Sequence, residues 1–359
     1  MVYIAGDNSG PAYHDIFIPT QYFHQYNLLE CKVCYTLDEG IATPADVVLF
    51  QRQYAPESLM FIRRAKALNR VTIALVDYNV WNIPPKSPAN PVYRGLILER
   101  FNAILGEAHA TVTSTPHLKS IISKYNSNCH IFRNLVDPII TTFLTPGRDN
   151  PEEIRIGWTG TPHHIEDIIH AEGFIRKISR LYKQVKWIFM GFAPPTINQL
   201  MPKERYELYG FVPVDAFYPA MASLDFDIGI APLVDNDFNR GKTARKAQEY
   251  AVLQIPMVLA PTKTYEDWIH TETCLKPKWN STDSWTEQLS YLIENPQERN
   301  RLAKNAYDYV IENHDIHKYI FGRAQTIYDI YNKVKGENRT WEEKPGEGDT
   351  PHSGQEGLN

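Results

Sequence analysis

The stretch FDIGIAPLVDNDFNRGKTARKAQEYAVLQIPMVLAP, residues 226–261, decides the reading of this chain. It opens as an apolar strand that stops at Ala231-Pro232-Leu233, passes through a basic segment with helical spacing near 241–254, and closes on a second apolar run, PMVLAP. Strand, helix, strand is the parallel crossover unit of α/β folds. Along a helix starting near Gly241, positions 242, 246, 249 and 253 share one stripe, while Ala244, Ala247 and Ala251 line the opposite face, small enough to sit close on a sheet. A basic helix is ordinarily solvated surface, with Arg245 and Glu249 an i,i+4 charge pair. Here the preceding strand puts the segment at the carboxyl edge of a parallel sheet, where such folds bind ligands.

Working outward, β-branched runs alternate with helical patterns on both sides. DVVLFQRQ, RVTIALVD, ATVTST and HIFRN interleave with helices up to the Pro-, Gly- and Asp-rich break TPGRDNPEE at 145–153. The alternation restarts with IRIGWTG, a helix near 164–183, VKWIFMG and LYGFVP. The pattern predicts two Rossmann-like, doubly wound domains in tandem, at 1–147 and 151–313. A helix over 314–335 follows, free to cross back to the first domain, and then a tail at 336–359 too poor in apolar residues to fold. Asn295, Pro296 and Glu298 predict a capping box at one C-terminal helix start.

Composition excludes more than it assigns. The 359 residues carry 37 basic and 42 acidic side chains, so no net charge draws the chain to nucleic acid or anionic membrane. No run is apolar enough to span a bilayer, and MVYIAGDNSGP lacks the order of a signal peptide, which makes a cytoplasmic location the default expectation. Cys31 and Cys34 form a C-x-x-C inside a strand pattern, with side chains on opposite faces, and neither a zinc nor a redox site is expected. GWTGTPHHIEDI places Gly157 and Gly160 between a strand and a helix, where the amides of Gly160 and Thr161 are candidates to approach a phosphate.

Three segments together, IRIGWTGTPHHIEDI, residues 226–261 and NPQERNRLAKNAYDYVIEN, resemble the C-terminal domain of group 1 glycosyltransferases, retaining enzymes of the GT-B fold. DVVLFQRQY, VTIALVDYNVWNIP, ATVTSTPHLKSII and IFRNLVD resemble the N-terminal half of one branch of that family. The resemblance implies two domains facing across a cleft and transfer of a sugar from a nucleoside diphosphate sugar, with neither metal nor cofactor. It leaves the acceptor open among glycan, lipid-linked glycan, protein and modified nucleic acid. Arg240 and Lys242 are then expected to contact the diphosphate, where cations offset the charge of the leaving group, and Glu249 to hold the two ribose hydroxyls, with Lys246 orienting it. His164 and Asp167 match family positions in the loop and first turn after IRIGWTG. On the facing domain His14 and Asp77 are the catalytic candidates, with Asp15 and Arg52 beside them. Where many members carry a glutamate, eight residues before the ribose-binding one, this chain has Gly241. A nucleotide-sugar epimerase and a non-catalytic binding protein are the competing expectations.

Overall fold

The structure, a computed structural model, describes residues 1–6, 10–37, 40, 44–143 and 152–340. The apolar runs form two sheets, both parallel throughout. β1 (Val2–Ile4), β2 (Lys32–Cys34), β3 (Val47–Gln51), β4 (Val71–Val76), β5 (Ala110–Thr113) and β6 (Cys129–Ile131) lie in the order β2-β1-β3-β4-β5-β6. β7 (Ile154–Thr159), β8 (Val185–Met190), β9 (Tyr206–Tyr209), β10 (Ile228–Ala231) and β11 (Met257–Leu259) lie in the order β11-β10-β7-β8-β9.

The period of two along a strand sorts the first core. Val47, Leu49, Ile73 and Leu75 point to one face, under helices α1 (Ile18–Gln25) and α9 (Ile316–Lys335). Val48 and Phe50 meet Phe61 and Ile62 of α2 (Pro56–Ala67), while Ala74 and Val76 meet Phe101 and Leu105 of α3 (Leu96–Glu107) and Leu118 of α4 (Pro116–Ile122). With both faces covered, β3, β4 and β5 need no polar side and are buried along their whole length. The second sheet is covered by α5 (Ile165–Leu181), α6 (Arg245–Val252), α7 (Thr282–Glu294) and α8 (Pro296–His314).

The last helix belongs to the first core. Ile316, Ile320, Ala324, Ile327 and Ile330 of α9 recur at helical spacing and are buried with Tyr3, Val71 and Ile73. The side chain of Asp315 caps α9 by accepting from His317 N at 2.9 Å. Where the chain returns it pairs with the segment leaving β6: Val136 N donates to His314 O at 2.8 Å and Ile316 N to Val136 O at 2.9 Å.

Several expectations need correction. The basic helix begins at Arg245, not near Gly241, because a separate turn of helix, Asp237–Arg240, intervenes. That turn is capped by Asn236, whose side chain accepts from Asn239 N at 2.8 Å, and Lys242 N then closes onto Asn239 O at 3.0 Å. The capping box at Asn295 does not form. Its amide donates to Tyr291 O at 2.8 Å, and Glu298 pairs with Arg301 at 2.7 Å instead, although Pro296 does open α8. β9 lies at Tyr206–Tyr209, and of LYGFVP only the first two residues belong to it. The boundary between 147 and 151, and the tail beyond 340, lie outside the described residues.

Candidate functional site

Each sheet has one point where the winding reverses, and crevices of α/β folds open there. In the second sheet it lies between β7 and β10. The chain leaving β7 carries Gly160 to His164, and the chain leaving β10 carries Pro232 to Lys242. In the first sheet the reversal lies between β1 and β3. His14 and Asp15 follow β1, Arg52 follows β3 and Asp77 follows β4. The two crevices face each other. Across them Asn79 Nδ2 donates to Asp237 O at 3.1 Å, Asn134 Nδ2 to Thr243 Oγ1 at 2.7 Å, and Ser87 Oγ lies 3.0 Å from His163 Nδ1.

Asp167, in the first turn of α5, organises the C-terminal side. Its Oδ1 accepts from Val234 N and from Asn239 Nδ2, both at 2.9 Å, and its Oδ2 lies 2.7 Å from His164 Nδ1 and 3.6 Å from Lys242 Nζ. Burial alone would raise its pKa, but the His164 hydrogen bond and the Lys242 ammonium bring it down to about 2. An ionised oxygen 2.7 Å away requires a proton on His164 Nδ1, so the neutral ring keeps its lone pair on Nε2. Burial and the two lysines hold His164 neutral, down at about 3. The 3.2 Å approach of Lys242 Nζ to Nδ1 is then a contact between two donors, and the ammonium turns to Asp167.

Lys242 is thus a cation taken out of water beside one carboxylate that already has three other donors. Its side chain is 17% exposed, and burial lowers it to about 8, still charged at neutral pH. Lys246, in the first turn of α6, is lowered by burial as well, and its Nζ sits 5.4 Å from the Trp158 ring. Glu249 lies three residues further along α6. It is buried, accepts no hydrogen bond from any described residue, and is raised by burial against the pull of Lys246 and Arg245. Two partly buried cations and a buried carboxylate with no hydrogen-bonding partner among the described residues suit a ligand that carries both phosphate and hydroxyl groups.

On the facing side Asp77 is occupied. Arg52 Nε lies 2.8 Å from its Oδ1, and Gln51 Nε2 donates to its Oδ2 at 2.8 Å. Asp15 has no such partners. Burial raises it to about 6, Asp77 adds to the rise, and Arg323, Arg245 and Arg52 oppose it. Asp15, Asp77, Thr113 and Ser114 line a small pocket with an apolar floor of Leu75, Val76 and Phe132. The Ser114 hydroxyl in that pocket is buried with no hydrogen-bond partner among the described residues. His14 stands edge-on to Tyr218 of the other domain, ring centroids 6.1 Å apart, and is held well below its ordinary pKa by burial and then by Arg245.

Other predicted residues fall elsewhere. Arg240 is exposed and paired with Asp235 at 2.9 Å, so it is turned away from the buried lysines. The Gly160 amide donates to Met190 O at 3.0 Å and is not available to a phosphate; a Cβ at Gly160 would lie 2.3 Å from the Trp158 ring. Glycine is required there for packing, and Thr161 is exposed at the start of the following turn. Gly241 is helical and buried, and a Cβ there would stand 3.1 Å from Asn79 Cβ and Leu118 Cδ2 of the N-terminal domain. Arg245 does not serve as a surface partner for Glu249: its guanidinium donates to Leu135 O at 3.2 Å across the interface. Asn239, Asn134 and Tyr218 are not among the residues the sequence singles out as site residues.

No family model and no curated protein sequence matches the chain. Solved structures do. HepE from Anabaena in complex with UDP-glucose is similar over 91% of this chain and 99% of its own, at 11% identity and a TM-score of 0.66. A glycosyltransferase from Rickettsia africae covers 93% and 98%, at 12% identity and 0.63. A Listeria monocytogenes protein assigned provisionally as a UDP-N-acetylglucosamine 2-epimerase covers 94% and 97%, at 10% identity and 0.54. The chain therefore has the GT-B fold, in which the same two-domain frame holds transferases and at least one protein assigned to a different reaction.

Proposed function

We propose that the protein is a glycosyltransferase that moves a sugar from a uridine diphosphate sugar to a hydroxyl acceptor. The observation that carries this reading is the set Lys242, Lys246 and Glu249 at the β7/β10 reversal: two partly buried cations beside a carboxylate that accepts no hydrogen bond from any described residue. A diphosphate gains negative charge as the sugar leaves, and fixed cations in a water-poor cleft stabilise that charge without reorganising. Lys242 is assigned to the diphosphate and Glu249 to the ribose diol, with Asp167 fixing Lys242 and Asn239. His164 Nε2, which keeps the ring's lone pair, is assigned to accept from a donor hydroxyl. The acceptor hydroxyl is assigned to the pocket beside the side chains of Asp15 and Ser114, which have no hydrogen-bond partner among the described residues. Catalysis is proposed to be metal-independent, since the lysines supply the positive charge a metal would otherwise supply. The HepE complex with UDP-glucose supports the choice of nucleotide. Four cysteines in the thiol form and no described helix long and apolar enough to cross a membrane support a cytoplasmic enzyme.

Titration calorimetry with UDP and UDP-glucose in EDTA tests the reading. Saturable binding is expected, weakened roughly tenfold to a hundredfold by Lys242→Ala, the range for a charge-assisted contact. If neither ligand binds the wild-type protein, the reading is wrong. The retention implied by the resemblance predicts a product whose anomeric configuration equals the donor's, read from proton couplings. Interconversion of donor sugars with no acceptor present would favour an epimerase.

A further inference from the structure

Residues 237–242 connect to both domains in alternation. Asp237 is held by the N-terminal domain, with Asn79 Nδ2 3.3 Å from its Oδ2 and His117 Nε2 3.2 Å from its Oδ1. Phe238 is 4% exposed and buried among Val76, Val80, Ile83, Tyr93 and Leu118, all of that same domain. Tyr78 meets its ring edge-on, centroids 6.2 Å apart. Gly241 O accepts from Thr115 Oγ1 at 3.3 Å. Asn239 turns the other way, to Asp167 of α5, and its carbonyl is held by Thr264 Oγ1 at 2.7 Å. Lys242 Nζ lies 4.9 Å from the centre of the Phe238 ring. The ammonium is therefore flanked by a carboxylate of one domain and by an aromatic face whose seat is in the other.

We propose that Phe238 is a positioning residue: docked in the N-terminal domain, its ring holds Lys242 in the donor site only while the two domains are closed on each other. The inference rests on the nucleotide reading of Lys242. Opening the cleft draws the ring from its seat, exposes it to water and removes the face against which the ammonium rests. The geometry thereby couples closure to the placement of positive charge at the diphosphate.

The test uses the full chain, UDP as probe, and small-angle scattering without nucleotide. Phe238→Ala is expected to enlarge the radius of gyration and to weaken UDP binding roughly tenfold, the size of a desolvated cation–π contact. In a double-mutant cycle the loss should not add to that of Lys242→Ala. Phe238→Leu keeps the apolar fill but has no π face, so it should scatter like the wild type and still bind UDP less tightly. Additive losses, wild-type scattering from Phe238→Ala, or full affinity in Phe238→Leu would each overturn the proposal. Absence of UDP binding by the wild type would remove the nucleotide reading, and this inference with it.

Discussion

Asp15 is buried at a cost that the fold does not recover. A carboxyl raised from 3.8 to about 6 binds its proton more tightly in the folded state, so stability falls as pH climbs from 3.8 to 6 and the whole penalty stands above that. Asp15→Asn should therefore raise the melting temperature at pH 7.5, by a stability gain on the order of 1–3 kcal/mol, and change it little at pH 4. A gain at both values would mean the side chain is not carrying its charge inward. The same variant should lower turnover in the proposed sugar transfer, because a destabilising group at a cleft is retained where chemistry needs it. Lys242 gives the opposite lever. UDP affinity should fall as pH rises through about 8, where the free ammonium loses its proton, and affinity constant across pH 7–9 would exclude it as the diphosphate cation.

At the scale of elements, the turn Asp237–Arg240 decides where the basic residues end up. Asn236→Ala removes its cap at a cost of about 0.5–2 kcal/mol, and it should also weaken UDP binding, since Asn239 and Lys242 are placed by that turn. A stability loss with unchanged affinity would separate the two. The strands and most helices were legible because period two and period 3.6 are written in single segments. The turn was not legible, because Asn236 at a cap and Gly241 in ordinary helical geometry look alike in sequence to one longer helix. The same limit explains Arg240 and Lys242. Both are cations two residues apart, and only the turn sends one to Asp235 in solvent and the other to Asp167. Gly160 misled for a related reason: a glycine after a strand serves a phosphate or a neighbouring ring equally well, and here Trp158 takes the space. Glu249 was legible only through the family resemblance, since spacing alone gave it an ordinary i,i+4 partner in Arg245.

For the molecule as a whole, acid should be the weak side. His164 is kept neutral to about 3, and a histidine depressed on folding loses stability as pH falls from 6.5; Asp167 adds a further loss between 3.8 and 2. Together these predict a loss of a few kcal/mol between pH 6.5 and pH 3, partly offset by the relief of Asp15 below pH 6, so the decline should be steeper in Asp15→Asn than in the wild type, checked by chemical denaturation across that range. His164→Gln, which can still donate to Asp167, should flatten the upper part of the decline.

The placement of α9 has a consequence for how the chain can be divided. Its isoleucines fill the first core, yet it is joined covalently to the second domain. The polypeptide is in effect two interleaved pieces, each completing the other. Residues 1–143 and 152–359, produced together as separate chains, should co-purify as one particle, held by the burial of α9 and by the pairing of Val136 with the returning segment His314 to Ile316. Elution as two independent species would show that the covalent join, not the exchanged helix, keeps the halves together.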